Sequence, residues 1–201
     1  MKKILIVILF GFIASCTHNE IPRSKKIVVK GKDYLKEIQE IIDFSTGKNY
    51  SKDYCILVDF DRSSSLDRFF LVHIPSKTIM GTYQSQLAHG AGCGSRNGKP
   101  RGFSNIPESN CSSLGFALIQ EKAYSNWGNH YKYWLKGLSE TNSNLRKRVV
   151  VLHSLNSIKE NSGYITESLG CFALSNYKLD LLDKFIQDNR LSSKLLIYAF
   201  K

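Results

Sequence analysis

Beyond its first fifteen positions the sequence has no apolar run near the roughly 20 residues that a membrane-spanning helix requires. This absence excludes a multi-span membrane protein. The chain also lacks internal repeats, low-complexity tracts and an interdomain linker, so 201 residues are expected to form one globular domain. The motifs C-x-x-C, H-x-x-x-H and H-E-x-x-H do not occur, which leaves a zinc site with little support.

Acidic residues are few: 17 Asp and Glu stand against 28 Lys and Arg, which gives a formal charge of +11. Basic charge attracts any polyanion, including acidic glycans, cell-wall polymers and lipid head groups. No basic stripe is interleaved with aromatic residues, so nucleic acid is not expected as a partner. With 42% hydrophobic residues, intrinsic disorder is excluded as well.

The first sixteen residues have the organisation of an export signal. Lys2 and Lys3 precede an apolar run over 4–12, and Ile13-Ala14-Ser15-Cys16 follows. These last four residues resemble the lipobox of bacterial lipoproteins. The resemblance implies a lipoprotein signal peptide at 1–15 and a lipidated Cys16 with a tether over 16–30, which leaves 31–201 as the folded domain. A plain secretory peptide or an uncut anchor helix remains the alternative.

An exported chain faces a compartment in which disulfides persist. Apart from Cys16, the cysteines are Cys55, Cys93, Cys111 and Cys171. Cys93 and Cys111 flank a glycine-rich stretch and are a possible disulfide, whereas Cys55 lies in an apolar run typical of a buried strand. A disulfide between Cys171 and one of the other three is also possible. The lipid anchor predicts a location in the cell envelope, facing the periplasm and tethered to a membrane.

Short apolar segments bounded by Ser, Gly, Asn or Asp predict a mostly-β fold. The predicted strands cover 55–60, 69–74, 78–88, 115–121, 131–138, 148–153 and 194–200. Residues 73–78 are typical of a hairpin connection, and 90–113 form the longest stretch without periodicity. Helices are expected at 33–44 and at 176–187, the second capped by Ser175. The fold class is therefore a β-sandwich or barrel with one or two packed α-helices.

The strongest chemical pattern is a histidine at the end of a strand followed by Ser-x-Gly-Cys. His153 ends an apolar strand, and Ser168, Gly170 and Cys171 lie in the turn before the last helix. A thiolate is the nucleophilic form of cysteine, and a nearby imidazole in electropositive surroundings favours it. Gly170 permits a backbone geometry in which amide N–H groups point at a developing oxyanion.

Fourteen residues separate His153 from Ser168, and His-x14-Ser-x-Gly-Cys resembles the signature of the L,D-transpeptidase catalytic domain, a family of cysteine enzymes of peptidoglycan cross-linking. The sequence is most similar to the branch of murein L,D-transpeptidase catalytic domain proteins. Departures from the family pattern are Ser154 after the histidine, Leu169 before the glycine and Phe172 after the cysteine. The supporting blocks occur in family order at 89–92, 103–109, 112–116, 136–138 and 170–174.

The resemblance implies a cysteine acyl transferase that needs no metal or organic cofactor and whose partners are peptidoglycan stem peptides. Cys171 would form a thioester with the third stem residue, and His153 would act as base. The backbone of Gly170 and Cys171 would supply the oxyanion hole, and Ser168 would orient the loop. The residues expected to contact the stem are His89, Ser113, Arg146 and Arg148.

Two outcomes of this chemistry stay open. An amine acceptor gives a cross-link, whereas water gives L,D-carboxypeptidase trimming. A catalytically weak peptidoglycan-binding envelope lipoprotein is a further alternative, and the sequence does not predict an oligomeric state.

Overall fold

In a computed structural model, the chain is described over residues 33–161, 163–165 and 167–201. The predicted signal peptide at 1–15, the lipidation site Cys16 and the whole tether over 16–30 lie outside these residues. Within the described ranges no helix is long and apolar enough to cross a membrane.

The described residues form two α-helices and ten β-strands. In chain order they are α1 (Leu35–Ser45), β1 (Tyr54–Asp59), β2 (Phe69–His73), β3 (Thr78–Ile79), β4 (Ser95–Arg96), β5 (Lys99–Pro100), β6 (Gly115–Tyr124), β7 (Tyr131–Gly137), β8 (Val151–Ser154), β9 (Phe172–Leu174), α2 (Asn176–Asp188) and β10 (Leu196–Phe200). Eight strands make one sheet in the order β3-β2-β1-β10-β6-β7-β8-β9, while β4 and β5 pair separately. Neighbours in the large sheet are antiparallel, except for the parallel pairs β1–β10 and β8–β9.

The middle of the sheet is buried on both faces, because one helix covers each. Ile56 and Val58 belong to the core on which α2 packs, whereas Cys55 and Leu57 belong to the core of α1. Successive residues of a strand point to opposite faces, so β1 is apolar without interruption. Burial of Cys55 on the α1 face raises the pKa of its thiol, as expected for a small core residue.

Each helix follows from its residue spacing and its ends. In α1, Ile38 and Ile41 are buried three positions apart on the face toward the sheet. In α2, the hydroxyl of Ser175 accepts the amide proton of Lys178 at 3.3 Å, as predicted for the helix cap. The apolar residues that α2 buries are Leu179, Leu182, Phe185 and Ile186.

The mostly-β prediction with one or two helices is confirmed, and the strands form a curled half-barrel sheet. Three strand predictions are wrong in extent, one of them because β6 continues past the expected end at 121 to Tyr124. The strand expected at 78–88 stops at Ile79, because the chain turns at Gly81–Tyr83 and Tyr83 packs edge-on against Phe185 of α2 at 5.0 Å. Packing on the helix, not strand pairing, accounts for the apolar character of Tyr83.

The strand expected at 148–153 begins three residues late, at Val151. Val149 has φ +56°, a left-handed conformation that a β-branched residue rarely adopts, and this conformation interrupts the strand. The hairpin connection predicted at 73–78 is confirmed, since His73 pairs with Thr78 between β2 and β3.

Candidate active site

The sheet edge formed by β7, β8 and β9 has one face that neither helix covers. Leu152 and Phe172 point into the core of α2, so their neighbours His153 and Ala173 point to the opposite face. The strand residues of the α1 core come from β1, β2, β3, β6 and β10, so α1 covers the other half of the sheet. A concave surface therefore forms over β7 to β9.

This surface is a cavity of about 720 Å³. Both Cys171 and His153 line it, together with Lys132, Arg148 and Glu167 as the charged residues. The remaining lining residues are Asn110, Tyr124, Ser125, Asn126, Trp127, Val149, Val151, Leu155, Ser157, Ser168 and Leu169. The histidine and the cysteine that the sequence singled out thus share one cavity.

Hydrogen bonding fixes the tautomer of His153. Its Nδ1 lies 2.9 Å from the backbone oxygen of Ser154. A carbonyl oxygen only accepts, so Nδ1 is the donor and Nε2 of the neutral ring holds the lone pair. Burial lowers the pKa of His153, as does the positive charge of Lys132. The ring is therefore neutral near pH 7, the state in which it accepts a proton.

Ser154 occupies the position where the family resemblance expects glycine. It links β8 to the β6–β7 turn. Its hydroxyl accepts the amide proton of Asn129 at 2.9 Å, and the Asn129 side chain donates to the backbone oxygen of Asn176 at 2.8 Å. Gly128 lies so close that an added Cβ would be 2.1 Å from the hydroxyl oxygen of Ser154. The turn is thereby held against the strand that carries the base.

The sulfur of Cys171 donates to the backbone oxygen of Val149 at 3.6 Å. Burial raises the pKa of the thiol, and the opposing effects of the Val151 amide, Lys132 and Arg148 are smaller. Lys132 and Arg148 thus favour the thiolate, as the sequence predicted, but burial outweighs them and favours the thiol. A base must therefore remove the thiol proton before the sulfur can attack.

The turn before Cys171 is tied together by Ser168. The Ser168 hydroxyl donates to the backbone oxygen of Cys171 at 2.7 Å and accepts the amide proton of Gly170 at 3.2 Å. Gly170 has φ +107°, and an added Cβ would lie 2.9 Å from the backbone oxygen of Cys111. The amide of Gly170 is therefore bound to Ser168 in this structure, which leaves it outside the expected oxyanion hole.

Cys93 and Cys111 are joined by a disulfide, and Arg148 binds the same loop. The guanidinium of Arg148 donates to the backbone oxygen of Cys111 at 2.6 Å and to the Ser113 hydroxyl at 2.6 Å. It also reaches the backbone oxygen of Ser104 and the hydroxyl of Ser109. Ser113 is buried and binds Arg148, so neither side chain is free to hold a stem carboxylate.

Arg146, also expected to contact the stem, lies outside the cavity. Its guanidinium is 2.8 Å from a carboxylate oxygen of Glu121 and stacks over the Trp134 ring at 4.0 Å. The fourth of these residues, His89, is fully buried instead of lining the cleft. Of the four residues expected to bind substrate, only Arg148 lines the cavity.

His89 connects a buried arginine to the loop of the nucleophile. Nη2 of Arg68 lies 2.8 Å from Nδ1 of His89, and a guanidinium only donates, so the His89 proton is on Nε2. Nε2 lies 3.3 Å from Glu167, without the alignment of a hydrogen bond, and the backbone oxygen of His89 accepts the Ser168 amide at 2.7 Å. Burial and Arg68 lower the pKa of His89 to about 4. His89 therefore supports the loop as a neutral ring.

A family model described as the L,D-transpeptidase catalytic domain matches residues 24–198, most of the chain. The chain belongs to the L,D-transpeptidase catalytic domain family. No curated protein is similar enough to this family member to count as a match.

The similar solved structures include the following two. Bd1075 of Bdellovibrio bacteriovorus shares 16% identity over 76% of this chain and 51% of its own, with a TM-score of 0.41. An L,D-transpeptidase from Xylanimonas cellulosilytica shares 12% identity over 81% of this chain and 68% of its own, with a TM-score of 0.39. This family member spans about half the length of the Bdellovibrio chain.

The sequence did not point to Lys132, Arg68 or Glu167. Lys132 precedes the buried Tyr133 in β7, so the sequence indicates that Lys132 lies on the opposite face of the sheet. The sequence does not indicate which residue of β8 is paired with Lys132. Arg68 and Glu167 carry no local signal, since an arginine or a glutamate in a polar stretch is usually exposed.

Proposed function

We propose that the chain is a peptidoglycan L,D-transpeptidase in which Cys171 is the nucleophile and His153 the general base. The observation that carries this proposal is that both side chains line one cavity, with Nδ1 of His153 bound to Ser154 and Nε2 left to accept a proton. Membership of the L,D-transpeptidase catalytic domain family supports the reaction class.

In the acylation step, Nε2 of His153 takes the thiol proton as Sγ of Cys171 bonds to the carbonyl carbon of the third stem residue. The backbone amide of Cys171 donates to the oxyanion. The carbon–nitrogen bond to the terminal D-alanine then breaks, and the imidazolium gives its proton to the departing amine. A thioester between stem and enzyme remains.

In the second step an acceptor amine attacks the thioester carbonyl. His153 removes a proton from the attacking nitrogen, the carbon–sulfur bond breaks, and the sulfur takes that proton back. The product is a 3-3 cross-link, and the enzyme returns to the thiol–imidazole pair from which it started. With water as the acceptor, the same steps release a trimmed stem.

The test uses the purified chain with a synthetic stem tetrapeptide and an amine acceptor. Mass spectrometry should find an acyl-enzyme and a 3-3 linked product with the unaltered chain, and neither with Cys171→Ala. Cys55→Ala is the matched control, because among the described residues it removes the other free thiol, which lies in the α1 core away from the cavity. A trimmed product alone would replace transpeptidation by carboxypeptidase activity, and turnover by Cys171→Ala would overturn the proposed nucleophile.

We further propose that the chain is a lipoprotein of the cell envelope, anchored through Cys16. The disulfide between Cys93 and Cys111 supports an oxidising compartment, because such bonds rarely persist in the cytosol. Cys16→Ala should release the protein from the membrane fraction and abolish labelling by a fatty-acid analogue, whereas Thr17→Ala should change neither. Continued fractionation of Cys16→Ala with membranes would contradict the lipid anchor.

A further inference from the structure

Lys132 is the cross-strand neighbour of the proposed base. It pairs with His153 between β7 and β8, and directly opposed residues have Cβ atoms about 4.5–5.5 Å apart on the same face. Both side chains line the cavity that holds Cys171. The strand register therefore places a lysine beside the histidine at the reacting centre.

The ammonium group of Lys132 lies over the part of the sheet that carries the nucleophile. Its Nζ is 4.6 Å from the centre of the Trp134 ring, and Trp134 is paired with Val151. The backbone amide of Val151 in turn interacts with the sulfur of Cys171. Consistent with this position, the charge of Lys132 lowers the pKa of both Cys171 and His153.

Lys132 has no counter-ion among the described residues. No described carboxylate lies within 4.0 Å of its Nζ, whereas Lys122 is 2.9 Å from Asp183 and Lys99 is 3.1 Å from Asp61. A half-buried cation without a counter-ion favours binding of an anion, because the contact with the Trp134 ring leaves its charge unneutralised.

The other cation of the cavity is already occupied. Both terminal nitrogens of Arg148 bind the loop that contains Ser113 and Cys111. Glu167 is the acidic lining residue, and one of its carboxylate oxygens lies 3.3 Å from Nε2 of His89. Lys132 is thus the lining residue suited to an anionic group of a bound molecule.

The position of the departing amine follows from the proposed function, on which this inference rests and in which His153 gives a proton to that amine. That amine must lie within roughly 3 Å of Nε2 of His153. In a terminal amino acid the carboxylate is two bonds from the amine nitrogen, so its oxygens lie roughly 3 Å from that nitrogen. The carboxylate of the departing residue therefore falls near the cross-strand neighbour of His153.

We propose that Lys132 binds the terminal carboxylate of the residue released in acylation. Lys132 thereby restricts the donor to stem peptides that end one residue after the scissile bond. A stem that continues, or whose terminal carboxylate is blocked, presents no charge to Lys132 and leaves the ammonium without a counter-ion.

The experiment compares two donors: a stem tetrapeptide with a free terminal carboxylate and the same peptide as its terminal amide. For the free acid, Lys132→Ala should lower kcat/KM by about 10- to 100-fold, largely through KM, and Lys132→Arg should restore part of the loss. For the amide, the unaltered chain should already be slow, and Lys132→Ala should change its rate by less than about 3-fold. Lys136→Ala is the matched control, an exposed lysine on the same strand outside the cavity.

The outcomes separate this inference from the proposed function. If the unaltered chain turns over neither donor, the proposed function fails. If it turns over both and Lys132→Ala slows them equally, Lys132 acts on the Cys171–His153 pair and the inference alone is overturned. Product inhibition by free D-alanine is a second measurement: it should weaken in Lys132→Gln, which removes the charge but keeps a polar, unbranched side chain only one atom shorter, and so guards against loss of folding.

Discussion

Nδ1 of His153 donates to the backbone oxygen of Ser154 at 2.9 Å, and the hydroxyl of Ser154 accepts the amide proton of Asn129. The orientation of the proposed base therefore depends on a turn 25 residues earlier in the chain. A substitution in that turn is expected to change catalysis without touching the substrate.

Gly128→Ala tests this dependence. Gly128 has φ +56°, and an added Cβ would lie 2.4 Å from the Ser154 oxygen that accepts the His153 proton. We expect kcat to fall at least about 10-fold because the imidazole is displaced. Steady-state kinetics with the stem tetrapeptide measure the effect.

Gly47→Ala is the control for backbone strain. Gly47 has φ +72°, but no atom lies within 4 Å of an added Cβ. It should cost about 1 kcal/mol of stability, as alanine at a left-handed position does, with kcat unchanged. Equal kcat values for the two variants would show that the turn does not orient His153.

His153→Ala should lower kcat/KM by about 10²- to 10⁴-fold, the usual contribution of a general base. Because burial lowers the pKa of His153, the acid limb of the pH–rate profile should lie below the ordinary histidine value of 6.5. The limb should vanish in the variant. An unchanged profile in His153→Ala would assign the limb to another group.

Alkylation of Cys171 should be slow at neutral pH. Burial raises its pKa above the ordinary value of 9.0, so the rate with iodoacetamide should keep rising with pH beyond that value. Cys55, fully buried, should remain unlabelled in the folded protein, and Cys171→Ala should remove the reaction. Fast alkylation that persists below pH 7 would indicate a thiolate–imidazolium pair instead.

Acidification should destabilise the fold through His89. Its pKa falls from 6.5 to about 4 on folding, so below pH 6.5 the unfolded chain binds a proton that the native state does not. The free energy of unfolding should therefore decrease as pH falls from 6.5 toward 4. Urea unfolding at a series of pH values should show a smaller decrease in His89→Gln. The matched control is His73→Gln, which removes a partly exposed histidine that contacts Ser76; an identical slope in both variants would exclude His89 as the source.

Reduction of the Cys93–Cys111 disulfide should destabilise the protein. The bond closes a loop of 18 residues, worth about 3 kcal/mol in the chain-entropy model. Because that loop carries the backbone oxygen that Arg148 binds and on which Gly170 packs, turnover should fall as well. Thermal unfolding with and without a reductant measures the first effect, and a Cys93→Ala, Cys111→Ala double variant should not respond. A reductant effect in the double variant would place the sensitive group elsewhere.

Local patterns in the sequence were sufficient to predict the elements that are specified by neighbouring residues. The period of Leu179, Leu182 and Ile186 and the cap at Ser175 specify α2, because a helix and its cap are formed by neighbouring residues. The strand prediction at 78–88 was wrong because the chain turns at Gly81–Tyr83 and Tyr83 packs on α2, a contact that no local pattern encodes.

The sequence by itself determined a mostly-β chain with two helices and identified His153 and Cys171 as its chemically distinctive pair. Their shared cavity, the tautomer of His153, the thiol state of Cys171 and the lysine beside them were decided only by the tertiary structure. The physical reason is that burial and strand register set these properties, and both arise from residues far apart in the chain. The register that opposes Lys132 to His153 joins residues 21 positions apart, a contact fixed by the sheet and not by either segment.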